Sequence, residues 1–417
     1  MIKGGPRVVT DGLVLCLDAH DAKSYAGEPV TNLYGDMSTS TALRPNRTEY
    51  NTGGTWPSDM PMCPEPVGRV YKHTSGALTS SWSNNSYGYT YKDIATTSGE
   101  TYICTCWVFV SADSDIDYMY LGIEAYLSGA GIPSGYTQVY NLNNKGTWQL
   151  LALYVTADTN VRFLPVYPRH SGVTDGSFSG FYAWGGAQVV KANYVTPYVL
   201  SSRSATNGWV DRTGNSTGGT LTNMDGTGTS HYRDGEVIMP VSASYLRFDG
   251  SDAEVIFSQN SAINLSANSP YTLEYWVSFN YLPTTSFAAT IMKGSFTSSY
   301  GHLFIKNTSD ANTQILVYTD DDSSPELTVT YLISTTTWYH IVQTFSSGVA
   351  KLYINGELEG SASGLTSTSN TSALRLGSHA GSNYFMNGDL AKVNIYNIAL
   401  TDAQVLNNYN ATKNRFL

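Results

Sequence analysis

The chain has 417 residues and a formal net charge of −10, and only 13% of its residues are charged. A chain of this length exceeds one ordinary core and suggests two or three domains. The charge balance excludes a phosphate-backbone surface, which needs clustered Lys and Arg, and no window approaches the roughly 20 apolar residues of a membrane span.

Polarity comes instead from Ser, Thr, Asn and 38 Gly, alongside 31 Tyr. Short strands joined by tight turns need this mixture, so an all-β protein is expected. The opening "MIKGGPRVV" lacks the apolar stretch of a secretory signal, which predicts a chain made and kept in a cytoplasm. Next comes "DGLVLCLDAHDAKSY" (Asp11 to Tyr25), whose centre Leu13 to Leu17 reads as a strand buried on both faces. The text then turns abruptly polar.

From Thr101, "TYICTCWVFVSAD" is an apolar strand ended by a polar turn, and "GTWQLLALYVTAD", "NVRFLPVYP" and "GFYAWGGAQVV" repeat the design. Trp107, Trp148, Trp184 and Trp276 sit among apolar neighbours and read as core. Cys104 and Cys106, at i and i+2, share a strand face where a bridge would need distorted geometry. With no second ligand pair nearby, they and Cys16 and Cys63 read as reduced thiols.

In "SSWSNNSYGYTYKD", Trp82, Tyr87, Tyr89 and Tyr91 are interleaved with small polar residues, and the three tyrosines share a face if the stretch is a strand. Rings so placed can stack on sugar faces; a jelly-roll core or a subunit contact is the plainer reading.

After residue 203 the chain changes character. "SASYLRFDGSDAEVIFS" turns at Asp249-Gly250, and "SPYTLEYWVSFNYL" alternates. It places Leu273, Tyr275, Val277 and Phe279 on one face and Thr272, Glu274, Trp276 and Ser278 on the other, as a half-buried sheet requires. "YINGEL" carries Asn355-Gly356, the composition of a type I′ hairpin. Only "LTDAQVLNNYNATKN" reads as helix, with a Thr401–Gln404 capping box and a stripe of Val405, Leu406 and Tyr409 that should pack on the end of the sandwich.

Nucleophile-elbow, zinc-helix, P-loop and dinucleotide fingerprints are missing. Glu274 has no second acidic residue at the same-face positions of its strand, whereas retaining glycosidases need two carboxyls roughly 5 Å apart. His340 in "TWYHIVQTF" reads as a sheet residue rather than a ligand. A non-enzyme is expected.

The pieces from "SYLRFDGSDAEVIF" to "FMNGDLAKVNIYNIALTDAQVLNNYNATKNRF", over residues 241 to 417, resemble the laminin G-like jelly roll with its concanavalin A-like sandwich. The ending "LTDAQVLNNYNATKNRF" resembles the version found in structural proteins of tailed bacteriophages. There a "GLVLCLDA…SY" strand leads within a few residues to a "W.D.TGN…GTLTN" passage. In this chain the passage starts at Gly208, so the resemblance implies an insertion. The expected domains are 1–25 with 206–417, and an inserted 26–205. The insert, from "EPVTNLYGDMS" to "GFYAWGGAQVVKANYVTPYVLS", resembles carbohydrate-binding-module-like jelly rolls of phage virion proteins.

The resemblance implies two all-β jelly-roll sandwiches with a short C-terminal helix, and a structural role on the virion surface. Capsid decoration or another surface appendage fits best, and the lack of heptads or shaft repeats disfavours a long tail fibre that binds host glycans. A free lectin-like protein and a glycan hydrolase are the other readings. Implied partners are other virion proteins of capsid or tail, a host-surface glycan, and further copies in a homo-oligomer such as a trimer. Laminin G-like domains sometimes hold Ca²⁺ at a loop rim, for which Asp320, Asp321 and Asp322 in "YTDDDSS" offer oxygens; a solvated acidic turn is the plainer reading.

Overall fold

A computed structural model describes residues 7–417 except 22, 27–28, 36–46, 52–53, 66, 75–89, 126–135, 158–159, 170–177, 193–194, 197, 200–201, 217, 225–231, 234–243, 265, 296–297, 307–312, 321–323 and 380–383. Among the described residues the strands are antiparallel throughout and one α-helix, Asp402–Thr412, lies near the C-terminus. The chain divides into two compact units, Met1–Pro29 with Ser204–Leu417, and Val30–Arg203.

In the first unit, one sheet runs Tyr232–Arg233, Tyr245–Asp249, Asn387–Tyr396, Tyr271–Tyr281, Trp338–Ser346, Val349–Ile354, Glu357–Ser363, and Leu13–Asp18 also pairs with Asn387–Tyr396. The other sheet runs Thr220–Thr222, Glu254–Phe257, Leu374–Leu376, Ala288–Ser295, Ser298–Lys306, Thr313–Tyr318, Leu327–Tyr331. Leu273, Tyr275, Val277 and Phe279 face a core that also takes in Phe248, Phe257, Phe304, Phe345 and Ile395. Asn355 and Gly356 have φ of 53° and 85°, as the type I′ hairpin demands. At the Asp249 bend, Gly250 has φ 80° and the Asp249 carboxylate accepts from the Ser251 N–H at 2.9 Å.

Strand Leu13–Asp18 sets Leu15 opposite Ile395 and Leu17 opposite Val393. Leu15 and Leu17 are fully buried, whereas Leu13 and Cys16 are half-buried, so one face is closed and the other only partly so. Beyond this strand, Tyr25 forms a β-bridge with Trp209, which bridges on to Gly219. The Ser24 hydroxyl donates to the Val210 carbonyl at 2.7 Å. The two chain segments are therefore stitched together although nearly two hundred positions separate them.

The stitch is the Asp-x-Thr-Gly-Asn string. Asp211, 4% exposed, accepts from the N–H groups of Cys16 and Thr213 at 2.9 Å and of Ser216 at 3.0 Å, and from the Thr213 hydroxyl at 2.7 Å. Thr213 Oγ1 and Asn215 Nδ2 in turn reach the Val14 carbonyl, at 3.1 and 3.3 Å. Backbone groups that a loop would otherwise leave unpaired are satisfied in this way.

The helix starts at the Thr401–Gln404 capping box. It does not pack on the sandwich's end. It lies over the outer face of strand Tyr271–Tyr281, so that Trp276 donates its indole N–H to Thr412 Oγ1 at 2.9 Å and stacks on Tyr409 and Phe416. That strand is consequently buried on both faces, not half-buried. In the helix, Val405, Asn408 and Thr412 are the buried positions, and Leu406 is 45% exposed.

The second unit has a sheet Arg47–Asn51, Arg69–Thr74, Phe181–Lys191, Thr101–Val110, Trp148–Thr156, and a sheet Thr90–Ala95, Asn160–Arg169, Tyr118–Ala125, Tyr136–Val139. Trp184, Tyr71, Tyr182, Cys104, Cys106 and Phe163 lie in its main core. Trp107 and Trp148 are only half-buried, on the other side of the five-stranded sheet, because Trp184 alone among these indoles points between the sheets. All four cysteines are free, and burial pushes the Cys63 thiol up to about 12 and those of Cys104 and Cys106 up as well.

Candidate functional site

The four-stranded sheet of the second unit carries a two-faced sequence. In "DYMYLGIEA", Met119, Leu121 and Ile123 enter the core, which turns Tyr118 and Tyr120 to the opposite face. In "NVRFLPVYPR", Val161 and Phe163 are core residues, and Arg162 and Tyr167 are half-buried. In "TYKDIA", Ile94 is core, leaving Tyr91 and Asp93 on the face away from it.

These outward residues form two groups. Tyr120 lies opposite Tyr167 in the ladder, with ring centroids 4.6 Å apart, and Tyr118 adds a third ring 5.4 Å from Tyr120. Arg162 places its guanidinium 4.3 Å from the Tyr91 ring centroid and holds Asp93 bidentately at 2.7 and 3.1 Å. Val139, paired with Tyr120 on the next strand, is 42% exposed. The face thus combines contiguous aromatic surface with a fixed charged pair. Rings of this kind take the C–H face of a sugar, and the pair supplies hydrogen-bonding groups at its edge.

Of the sequence candidates, Tyr91 lies on this face; Trp82, Tyr87 and Tyr89 fall outside the described residues. Tyr118, Tyr120 and Tyr167 escaped the sequence reading. The signal was the Tyr-Met-Tyr-Leu alternation, which marks one apolar face as core and leaves the tyrosines on the other.

Asp320, in the first unit, is 9% exposed, accepts from Thr366 Oγ1 at 2.8 Å and hydrogen-bonds the Glu326 carboxyl. It is therefore part of a sandwich-edge contact rather than a solvated turn, while Asp321 and Asp322 fall outside the described residues. Among the described residues no three His, Cys, Asp or Glu side chains gather to hold a metal.

Burial first, and then the hydrogen bond with Asp320, raises Glu326 from 4.5 to about 8. The folded state thus keeps a proton that the unfolded chain gives up, so this group's stabilisation is full in acid and fades as pH rises through about 8. Glu326→Gln should flatten that loss, seen as melting temperatures at pH 5 and pH 9 that lie closer together than in the parent chain.

Glu274 and His340 meet at the centre of the large sheet, 2.8 Å apart, and both are buried. Glu274 Oε2 also accepts from Asn394 at 3.1 Å, Tyr396 at 2.9 Å and Asn408 at 3.1 Å. Burial would raise this carboxyl, but the hydrogen bonds and the His340 charge outweigh it and hold the group below its ordinary range. No second carboxyl is among its partners. The arrangement fastens the helix to the sheet and engages both oxygens of the carboxylate.

The antiparallel sheets and the short helix near the C-terminus are those of jelly-roll sandwich domains. Residues 249–406 match the domain model Laminin_G_3, described as the concanavalin A-like lectin/glucanases superfamily, and constitute such a domain. No curated protein matches the chain. Among solved structures, domain 4 of AbnA, a GH43 extracellular arabinanase from Geobacillus stearothermophilus solved with arabinotriose, is 22% identical with a TM-score of 0.37, over 49% of this chain and 94% of that one. The binding domain of Paraclostridial mosquitocidal protein 1 is 20% identical with a TM-score of 0.37, over 48% of each chain. The botulinum neurotoxin serotype D binding domain is 18% identical with a TM-score of 0.36, over 50% of this chain and 49% of that one. This chain spans about half the length of the two toxin binding domains.

Proposed function

We propose that this chain is a non-enzymatic surface protein of a tailed phage particle, a capsid decoration or short appendage, which adheres to glycans through its second unit. The observation that carries the adhesive part is the outward face bearing Tyr118, Tyr120 and Tyr167 beside Tyr91, Arg162 and Asp93. An aromatic cluster away from the core, with a bidentate ion pair next to it, is costly surface for a merely soluble sheet. The engagement of both Glu274 oxygens by structural partners supports a non-catalytic role. The virion assignment rests on the resemblance of the opening and closing strings to phage structural proteins.

A glycan array with chromatography of the products tests the adhesive reading. Tyr120→Ala and Tyr167→Ala should each weaken binding about 5- to 150-fold, since a stacked ring contributes on the order of 1–3 kcal/mol, with the melting temperature little changed. Turnover of any oligosaccharide contradicts the non-enzyme reading, and unchanged binding by both variants contradicts this face. Mass spectrometry of purified particles tests location: the chain should be present in intact virions, and its absence would sink the virion assignment.

A further inference from the structure

Strand Trp148–Thr156 breaks the rules for a sheet edge. Among the described residues its only strand partner is Thr101–Val110, so it ends the five-stranded sheet. Edge strands are normally short or charged, because a row of free N–H and C=O groups invites another strand. Among the described residues, four other edge strands comply: Arg47–Asn51 carries Arg47 and Glu49, Thr90–Ala95 carries Lys92 and Asp93, Glu357–Ser363 carries Glu357 and Glu359, and Leu327–Tyr331 has five residues. "WQLLALYVT" has nine residues and no charge.

Its apolar character extends to both faces. Leu151, Leu153 and Val155 point into or pack on the core, while Leu150 is 37% and Tyr154 is 49% exposed on the other side. An apolar pattern on both faces belongs to a strand with both faces covered, and of the outward side chains Trp148 packs with Met60, Phe109 and Phe181 while Leu150 and Tyr154 stay exposed.

We propose that this edge pairs antiparallel with the same edge of a second copy of the chain, about a two-fold axis at Ala152. A two-fold axis there sets residue 152 − k against residue 152 + k of the copy, which brings Leu150 opposite Tyr154 twice over. The two exposed apolar side chains of the strand become cross-strand pairs of the aliphatic–aromatic kind that stabilises sheets. Charge favours the same partner. Each chain carries −10, yet this strand brings a neutral segment against a neutral one, whereas self-pairing through Glu357–Ser363 would set acidic residues close to their own copies. The pairing is independent of the sugar-binding reading, since it uses the other sheet of the unit.

Sedimentation velocity of the full chain at micromolar concentration tests it. The parent should run at twice the chain mass. Leu150→Lys with Tyr154→Lys sets lysine against lysine and should abolish the dimer with melting unchanged, and Leu150→Lys with Tyr154→Glu should restore it. Should the double-lysine variant fail to fold, Ala152→Cys decides: residues paired across an antiparallel dyad lie at Cα separations of about 4.5–5.5 Å, within disulfide range, so mild oxidation should cross-link the copies. A monomeric parent at ~100 µM, set by the micromolar affinity of weak pairs, overturns the proposal. So does a dimer or trimer indifferent to the double lysine, a failure of the charge-swapped pair to recover dimers, or no cross-link.

Discussion

Replacing Glu274 by alanine should destabilise the sandwich by about 3–5 kcal/mol, the cost of removing one partner from a buried ionic network. At roughly 2–4 °C per kcal/mol for a unit of this size, the melting temperature falls by roughly 6–20 °C. The effect is large because four donors lose one acceptor together: His340, Asn394, Tyr396 and Asn408 all converge on this carboxylate. Asn408 belongs to the helix, and its Oδ1 accepts from the Val9 N–H at 2.8 Å while the Tyr396 hydroxyl reaches the Val9 carbonyl at 3.2 Å. The carboxylate therefore fastens the N-terminal segment, the helix and three strands. Glu274→Gln should recover only part of the loss, since its amide nitrogen offers a donor where donors already point.

Acid adds a second signature. The Glu274 carboxyl is held below 4.5 in the fold, so it contributes stability above that value, and the contribution disappears as pH falls through the lowered pKa. Thermal melts below pH 4.5 should show the parent falling towards the Glu274→Ala variant. Parallel melting curves for the two chains over that range would contradict the account.

Asp211→Ala should cost about 3 kcal/mol, the upper range for charge-assisted hydrogen bonds whose donors stay buried. Its carboxylate gathers the N–H groups of Cys16, Thr213 and Ser216 and the Thr213 hydroxyl, and so ties strand Leu13–Asp18 to the loop that continues the sandwich. Asp211→Asn should lose nearly as much, because one acceptor oxygen becomes a donor facing N–H groups. Chemical denaturation measures both. In hydrogen exchange, the amide of Cys16 should lose protection before that of Val277 does.

The local rules were legible in the sequence. Asn355-Gly356 announced a hairpin because positive φ at both residues is a property of those two residues alone. The Thr401–Gln404 capping box is equally local. What depended on distant chain was harder to read. The alternation at Leu273 to Phe279 identified the core face and Trp276 read as core, but the strand read as half-buried because nothing in it reveals the helix that covers Thr272, Glu274, Trp276 and Ser278. The same covering shifts the helix stripe: Val405 and Tyr409 pack inward as read, but Asn408 is buried because Glu274 waits beneath it, and Leu406 is left outside.

The candidate site shows the same limit. Tyr91 stood in a suggestive polar-aromatic string, yet its partners Arg162 and Asp93 and the neighbouring Tyr118, Tyr120 and Tyr167 come from strands scattered along the unit. Alternation could have flagged Tyr118 and Tyr120, but only the ladder register sets Tyr167 against Tyr120. The Asp-x-Thr-Gly-Asn string was likewise visible as a pattern, while its hydrogen bonds to Val14 and Cys16 appear only once the sheet is assembled.

The central claim is that the sandwich is built from both chain ends and that adhesion resides in the other unit. Replacing residues 30–203 by a short Gly-Ser linker and recording calorimetry together with glycan binding tests it most directly. The account predicts one cooperative unfolding transition, with glycan binding lost. Absence of a transition, or glycan binding undiminished in the shortened chain, would contradict it.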